Sequence, residues 1–231
     1  MKKKLLFMTL AVGIGLVSCK KEELEPIPFD QSCSIATLTY NVRLADNNHP
    51  FITWSSGTGV VREIIWDGTL TGATLPTSIT HSVVTAINLF TGAATPEIIT
   101  TEITPGVYSN IGVGVELEDN GVDDNIILNG YYTDGSSVTH PIQFLFNSGE
   151  VFEATIASYN FEPGTNTICW LELNPSDWFS SFSIADLDGA TVNGAGTIVI
   201  SESSNSSIYD VVETAILNST TTNGTLVFET I

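Results

Sequence analysis

The chain has 231 residues, with 26 acids against seven basic residues and a formal net charge of −19 at pH 7. Beyond Pro26 the only cations are Arg43 and Arg62, so the body has no footprint for nucleic-acid phosphates and is repelled by anionic lipid head groups. The length suffices for one large β domain or two small ones, with ample room for a hydrophobic core.

The chain opens on a basic tripeptide, Lys2 to Lys4, followed by an apolar run from Leu5 to Val17. That order is the pattern of a secretory signal. The run is shorter than the ~20 residues that a membrane-spanning helix needs. Leu16-Val17-Ser18-Cys19 resembles the lipobox of bacterial lipoproteins. The resemblance implies cleavage before Cys19 and acylation of its thiol, and two or more acyl chains give stable membrane attachment. Removing residues 1–18 leaves four basic residues against 26 acids, a net charge of −22. Residues 19–31 then form an acidic tether, Lys20-Lys21-Glu22-Glu23-Leu24-Glu25 followed by Pro26 and Pro28, a composition that stays solvated. It is similar to the tether of Bacteroidota-type lipoproteins, which implies display on the outer face of the outer membrane, with the periplasmic face as the alternative.

From residue 32 to 231 the sequence reads as a single domain in which short runs of Thr, Val, Ile and aromatics alternate with period two between Gly, Asp, Asn and Pro. This predicts a mainly β fold, an antiparallel β-sandwich. Strands are expected at Ser34–Leu44, Phe51–Trp54, Val60–Trp66 and Ile79–Leu89, with Ser55–Gly59 as a loop. The clearest alternation is Ile111–Glu118, with Ile111, Val113, Val115 and Leu117 on a buried face. Ile126–Thr133 is expected to return as its hairpin partner. Ile142–Phe146 and Val151–Ala157 should follow, joined by the turn Asn147-Ser148-Gly149. After a strand at Ile168–Leu173, Asn174-Pro175-Ser176-Asp177 has the composition of a helix start, so a short helix is expected near 175–183 with Trp178 and Phe179 facing the core. A strand at Gly196–Ser201 precedes an amphipathic helix near 206–218, capped by Asn205, with Ile208, Val211, Val212, Ala215 and Ile216 on one face. Thr225–Ile231 closes the body.

Two passages resemble uncharacterised Bacteroidota-type lipoproteins with prealbumin-like (immunoglobulin-like) β-sandwiches. One is Ile87-Asn88-Leu89 with Gly92 and Thr104-Pro105-Gly106-Val107-Tyr108; the other is Leu173-Asn174-Pro175 with Trp178-Phe179, leading into Ile198–Ser201. The resemblance implies a fold and an address, and carries no functional residues.

Five acids, Glu116, Glu118, Asp119, Asp123 and Asp124, are interleaved with Asn120 and Asn125. Ca²⁺ takes six to eight oxygen ligands, and this loop supplies several, although its spacing matches no EF-hand. The competing reading is a solvated loop whose Asn120-Gly121 supplies the positive φ of a turn. Tyr131 and Tyr132 are neighbours on a strand and point to opposite faces, so an exposed ring there offers a flat surface for a sugar. Cys33 and Cys169 are the body's two cysteines and a candidate disulfide in an exported protein. His49, His81 and His140 stand apart, without His-Glu-x-x-His, and no serine lies in Gly-x-Ser-x-Gly. Asn205 and Asn218 fit Asn-x-Ser/Thr and read as cap and turn residues. The sequence therefore points to a non-catalytic envelope lipoprotein that needs no cofactor beyond a possible Ca²⁺ and binds or scaffolds an extracellular protein, or else binds a glycan as part of a polysaccharide uptake system.

Overall fold

The computed structural model describes residues 35–45, 49–218 and 224–231, which fall within one compact unit, Cys33–Ile231. The expected lipidation site Cys19, the expected tether and Cys33 lie outside the described residues. The elements run β1 (Ala36–Leu44), β2 (Ile52–Leu70), β3 (Thr77–His81), β4 (Thr85–Asn88), β5 (Ala94–Thr95), β6 (Thr101–Ile103), β7 (Gly106–Leu117), β8 (Ile126–Thr133), β9 (Thr139–Phe146), β10 (Val151–Phe161), β11 (Asn166–Leu173), α1 (Pro175–Trp178), α2 (Ile184–Asp188), β12 (Ile198–Ile200), α3 (Ser206–Asn218) and β13 (Gly224–Thr230). The protein is mainly β, two sheets in a sandwich-like arrangement with few short helices.

The smaller sheet has the order β13-β11-β1-β6, and the larger follows β10-β7-β2-β8-β9-β12, with β3 and β4 also on β2. Pairings are antiparallel except β1–β11 and β9–β12, which are parallel. Parallel neighbours need crossovers; β9 and β12 are joined through β10, β11, α1 and α2, and β1 and β11 through most of the larger sheet.

The expected hairpin of β7 with β8 does not form. Both strands lie along β2 instead, β8 against Ile52–Gly59 and β7 against Val61–Leu70. They share one edge of it: Val60 donates its N–H to Asn125 O at 2.7 Å and accepts from Glu118 N at 3.0 Å. Alternation identifies the buried face of a strand but not its neighbour. Likewise β9 pairs with β8, while β10 crosses to β7.

Ser55–Gly59 continues β2 rather than forming a loop, with a register shift between Trp54 and Ser56. Its glycines serve close packing, since a Cβ on Gly57 would lie 2.7 Å from Leu128 Cδ2. The expected strand Ile79–Leu89 divides into β3 and β4 around Ser82–Val84, where His81 Nε2 lies 3.0 Å from Thr85 Oγ1.

The core is strongly aromatic. Trp66, Tyr108 and Phe161 meet edge to face with centroids 5.4–6.0 Å apart, a geometry favoured by the ring quadrupole. Trp178 and Phe179 enter the core as expected, Phe179 edge-on to Phe144 at 5.4 Å and Trp178 stacked on Phe152 at 6.0 Å. Helix α3 forms where expected, with its buried stripe shifted: Ile208, Tyr209, Val212 and Ile216 are buried, whereas Val211 is 40 % exposed. The Tyr209 ring packs near Phe144 and Phe146, and that burial outweighs the smaller side chain of Val211. Asn205 starts the helix through its carbonyl, which accepts from Ile208 N and Tyr209 N. Its side chain instead ties Thr191 to Val199.

The tightest backbone approach is at Gly130 in β8, where an added Cβ would lie 2.3 Å from Thr53 O and 2.9 Å from Trp54 Cα. Neither is a side chain that can turn aside. Gly130→Ala is therefore expected to lose about 3 kcal/mol of stability or more, at or beyond the upper end of ordinary overpacking, read as a lower midpoint in urea denaturation.

Candidate ligand cleft and acidic loop

The paired strands β2, β8 and β9 align Thr53 with Tyr131 and Pro141, and Ser56 with Asn129 and Gln143. Period-two alternation sends Leu128, Gly130 and Tyr132 inward and leaves Asn129 and Tyr131 on the outer face. The bulge after Trp54 brings Ser55 to the same face, where its hydroxyl donates to Asn129 O at 3.2 Å. One side is walled by the hairpin that ends at the Val192–Ile198 bridge. Its Asn193 Oδ1 accepts from Ala195 N at 2.9 Å and Thr197 N at 3.0 Å.

Together Ser55, Asn129, Tyr131, Gln143, Asn193 and Thr197 border a cleft of about 320 Å³. Its amides are held in a row: Gln143 Nε2 donates to Asn129 Oδ1 at 2.8 Å, and Asn129 Nδ2 to Ser56 Oγ at 3.4 Å. Tyr131 is 51 % exposed. Among the described residues no carboxylate, ammonium or guanidinium lines the cleft, so its chemistry is one flat aromatic face beside neutral donors and acceptors. Such a surface suits a neutral polyhydroxylated ligand rather than an ionic one.

The two tyrosines singled out in the sequence part company. Tyr132 is 1 % exposed; its hydroxyl donates to Ile184 O at 2.9 Å and to the Asp188 carboxylate, so it fastens α2 to β8. Burial, and then the Asp188 carboxylate, push its phenol well above the usual range. Tyr132 belongs to the structure of the site and Tyr131 to its surface.

The acidic loop is built largely from its own Asx turns. Asp119 Oδ1 accepts from Gly121 N at 3.0 Å, Asn120 Oδ1 accepts from Val122 N and Asp123 N, and Asn120 Nδ2 donates to Asp123 Oδ2 at 3.0 Å. Glu116 is drawn away to Arg62. Burial, and then Asp123 and Glu202, raise the Asp124 carboxyl. The five acids do not converge on one point, and among the described residues no group of three or more His, Cys, Asp or Glu is placed to hold a metal. Asp119 and Asp123 thus shape the loop, Asp124 is half-buried beside them, and Glu118 Oε2 is buried at its base.

Both arginines are committed elsewhere. Arg43 lies 4.6 Å from the Trp170 ring centroid and pairs with Glu172 at 2.7 Å and Glu229 at 2.8 Å. Cys169 is a free thiol at the centre of β11, where burial pushes it up to about 12 and removes the thiolate that disulfide exchange requires; its candidate partner Cys33 is outside the described residues.

The three histidines remain apart. His140 Nε2 lies 2.9 Å from Asp134 Oδ2, His81 is clipped to Thr85, and His49 sits edge-on to Phe51 with Nε2 3.3 Å from Phe179 O. Each has a local structural partner.

No family model, curated protein or solved structure matches the chain.

Sequence reading missed Ser55, Asn129, Gln143, Asn193 and Thr197. The alternation of Asn129 with Tyr131 was the available signal. The register that sets Gln143 beside Asn129, and the crossover that brings in Asn193, arise only in the fold.

His49 gives a pH-dependent handle on the core beneath this face. Burial lowers its pKa from 6.5, partly offset by the Phe179 carbonyl. The folded state therefore favours the neutral ring, and the unfolded chain binds the proton more readily. The corresponding stability is complete above pH ~6.5 and is lost as pH falls below it. The denaturation midpoint is expected to drop between about pH 7 and pH 5, with a shallower slope in His49→Gln.

Proposed function

We propose that this chain is a lipid-anchored lipoprotein of a Gram-negative cell envelope whose β module binds a neutral glycan without transforming it. The observation that carries the binding assignment is the Tyr131 cleft, in which a half-exposed ring stands beside a row of pre-aligned amides and, among the described residues, no charged group. Sugars present alternating C–H faces and hydroxyls, and such a lining meets both, by stacking and by neutral hydrogen bonds. The address rests on Leu16-Val17-Ser18-Cys19 and the tether that follows, which together favour the outer face of the outer membrane. A module of this charge holds itself away from an anionic membrane surface. The anchor would then supply the attachment that the body's own electrostatics oppose.

A protein partner is the second reading. It is supported by Val138 and Val192, each 51 % exposed, in the turns joining β8 to β9 and leading into β12. Calorimetry against a panel of neutral and acidic glycans separates the two. A neutral glycan should bind, and Tyr131→Ala should weaken it by about tenfold, the equivalent of ~1.4 kcal/mol, with the melting temperature unchanged. Should no glycan on the panel bind, the glycan reading falls and the protein partner remains.

The anchor has its own test. Intact-mass spectrometry of the membrane fraction should find Cys19 at the N-terminus carrying two or three acyl chains, and Cys19→Ala should leave an unlipidated chain. A membrane form retaining residues 1–18 would overturn the address.

A further inference from the structure

The base of the acidic loop has a feature that the loop's own turns do not account for. Among the described residues, seven buried polar side-chain atoms have no hydrogen-bond partner, and three of them, Glu118 Oε2, Asn125 Oδ1 and Asn147 Oδ1, belong to two adjoining segments. Asn125 joins those segments. Its backbone N–H donates to Phe146 O at 2.8 Å, and its Nδ2 donates to Glu118 O at 3.0 Å and Ser148 O at 2.6 Å. The two Asn125 donors thus bracket Asn147. Because both Nδ2 bonds go to backbone carbonyls, the amide cannot be reversed without setting oxygen against oxygen. Oδ1 therefore remains an acceptor, enclosed in a residue only 2 % exposed.

These three atoms are a carboxylate oxygen and two amide oxygens, hard acceptors that a polar interior leaves unpaired only at a cost in stability. No side-chain cation pairs with them. Arg62 is bound to Glu116 and reaches Glu118 only through its field, Arg43 is bound in the other sheet, and no other Lys or Arg occurs in the body. More negative charge borders the place. Asp119 packs on the following turn, its Cβ 3.1 Å from where a Cβ on Gly149 would stand. Asp124, half-buried and next to Asn125 in sequence, adds a further carboxylate. A small hard cation satisfies several such lone pairs at once, and a mixed set of carboxylate, amide and water oxygens is the ligand chemistry of Ca²⁺ rather than of Mg²⁺.

We propose that Glu118, Asn125 and Asn147 form the floor of a Ca²⁺ site, completed by water and by a bordering carboxylate from Asp119 or Asp124. The ion would tie the Glu118–Asn125 loop to the β9–β10 turn, at the point where β7 and β8 meet on Val60. With a single carboxylate on its floor the site belongs to the weak extracellular class, with Kd about 10⁻⁴ to 10⁻³ M.

The test uses the full chain in detergent, stripped with EDTA and titrated with CaCl2 or MgCl2. Calorimetry should give a Kd in that range for Ca²⁺ and a far weaker response to Mg²⁺. The melting temperature should rise by roughly 5 °C at about ten times Kd. Glu118→Gln and Asn147→Ala should each weaken Ca²⁺ binding by about tenfold or more while circular dichroism retains the β signature. Asp123→Asn, which changes an exposed carboxylate outside the floor, should bind as the parent does. If Glu118→Gln does not fold, Asn147→Ala decides. Absence of a Ca²⁺ response in the parent overturns the site and leaves buried water as the partner of these oxygens. A response that survives both floor substitutions overturns it equally, as diffuse attraction to an acidic surface.

Discussion

The larger sheet depends on one backbone constraint, the two hydrogen bonds by which Val60 receives β7 and β8 on the same edge of β2. A strand of 19 residues has enough edge for two partners in line, and Val60 is where one hands over to the other. Everything the face presents follows from this junction. It sets β8 and β9 beside the first half of β2, so that Asn129, Tyr131 and Gln143 come out on one surface. It also closes the acidic loop at its base, because Glu118 and Asn125 are the residues that bond to Val60.

Charge works against that closure. A chain with 26 acids in all, and with only two Lys or Arg beyond Pro26, concentrates negative potential wherever acids are adjacent in sequence. Each arginine is used to hold strands together: Arg43 links β1 to β11 and β13 through Glu172 and Glu229, and Arg62 links β2 to β7 through Glu116. The loop meets its own charge with backbone N–H groups, in Asx turns, and by keeping most of its carboxylates in water. Glu118 is the exception: its Oε2 is buried at the base of the loop, where its backbone N–H donates to Val60 O.

The two ends of the aromatic inventory also divide by position. Trp66, Tyr108, Phe144, Phe161 and Phe179 are all fully buried. They supply the large apolar areas that make the sandwich-like arrangement favourable. Tyr131 alone of the adjacent tyrosine pair is turned outward, and the inward Tyr132 holds the short helix that ends in Asp188. Adjacent residues on one strand thus carry a surface and its support.

Much of the fold was legible in the chain itself, since secondary structure and burial depend on neighbours within a few residues. The alternation Ile111–Leu117, the Pro-led helix that delivers Trp178 and Phe179, and the amphipathic stretch 206–218 all announce themselves through period and capping composition. The candidate cleft was half legible, Tyr131 by its place beside Tyr132, its amides not at all. Partner choice was hidden. Ser55–Gly59 has the composition of a loop, yet it continues β2 because its glycines admit Leu128 and Phe90, and β8 passes over β7 to reach β9 and β2. Sequence determined which residues face inward and which chemistries lack their motifs, because both are local properties. Tertiary structure alone decided which strands meet, and hence that Asn129 lies beside Gln143 and Asn125 beside Asn147, because register between distant segments is set by backbone pairing and core packing that no single segment encodes.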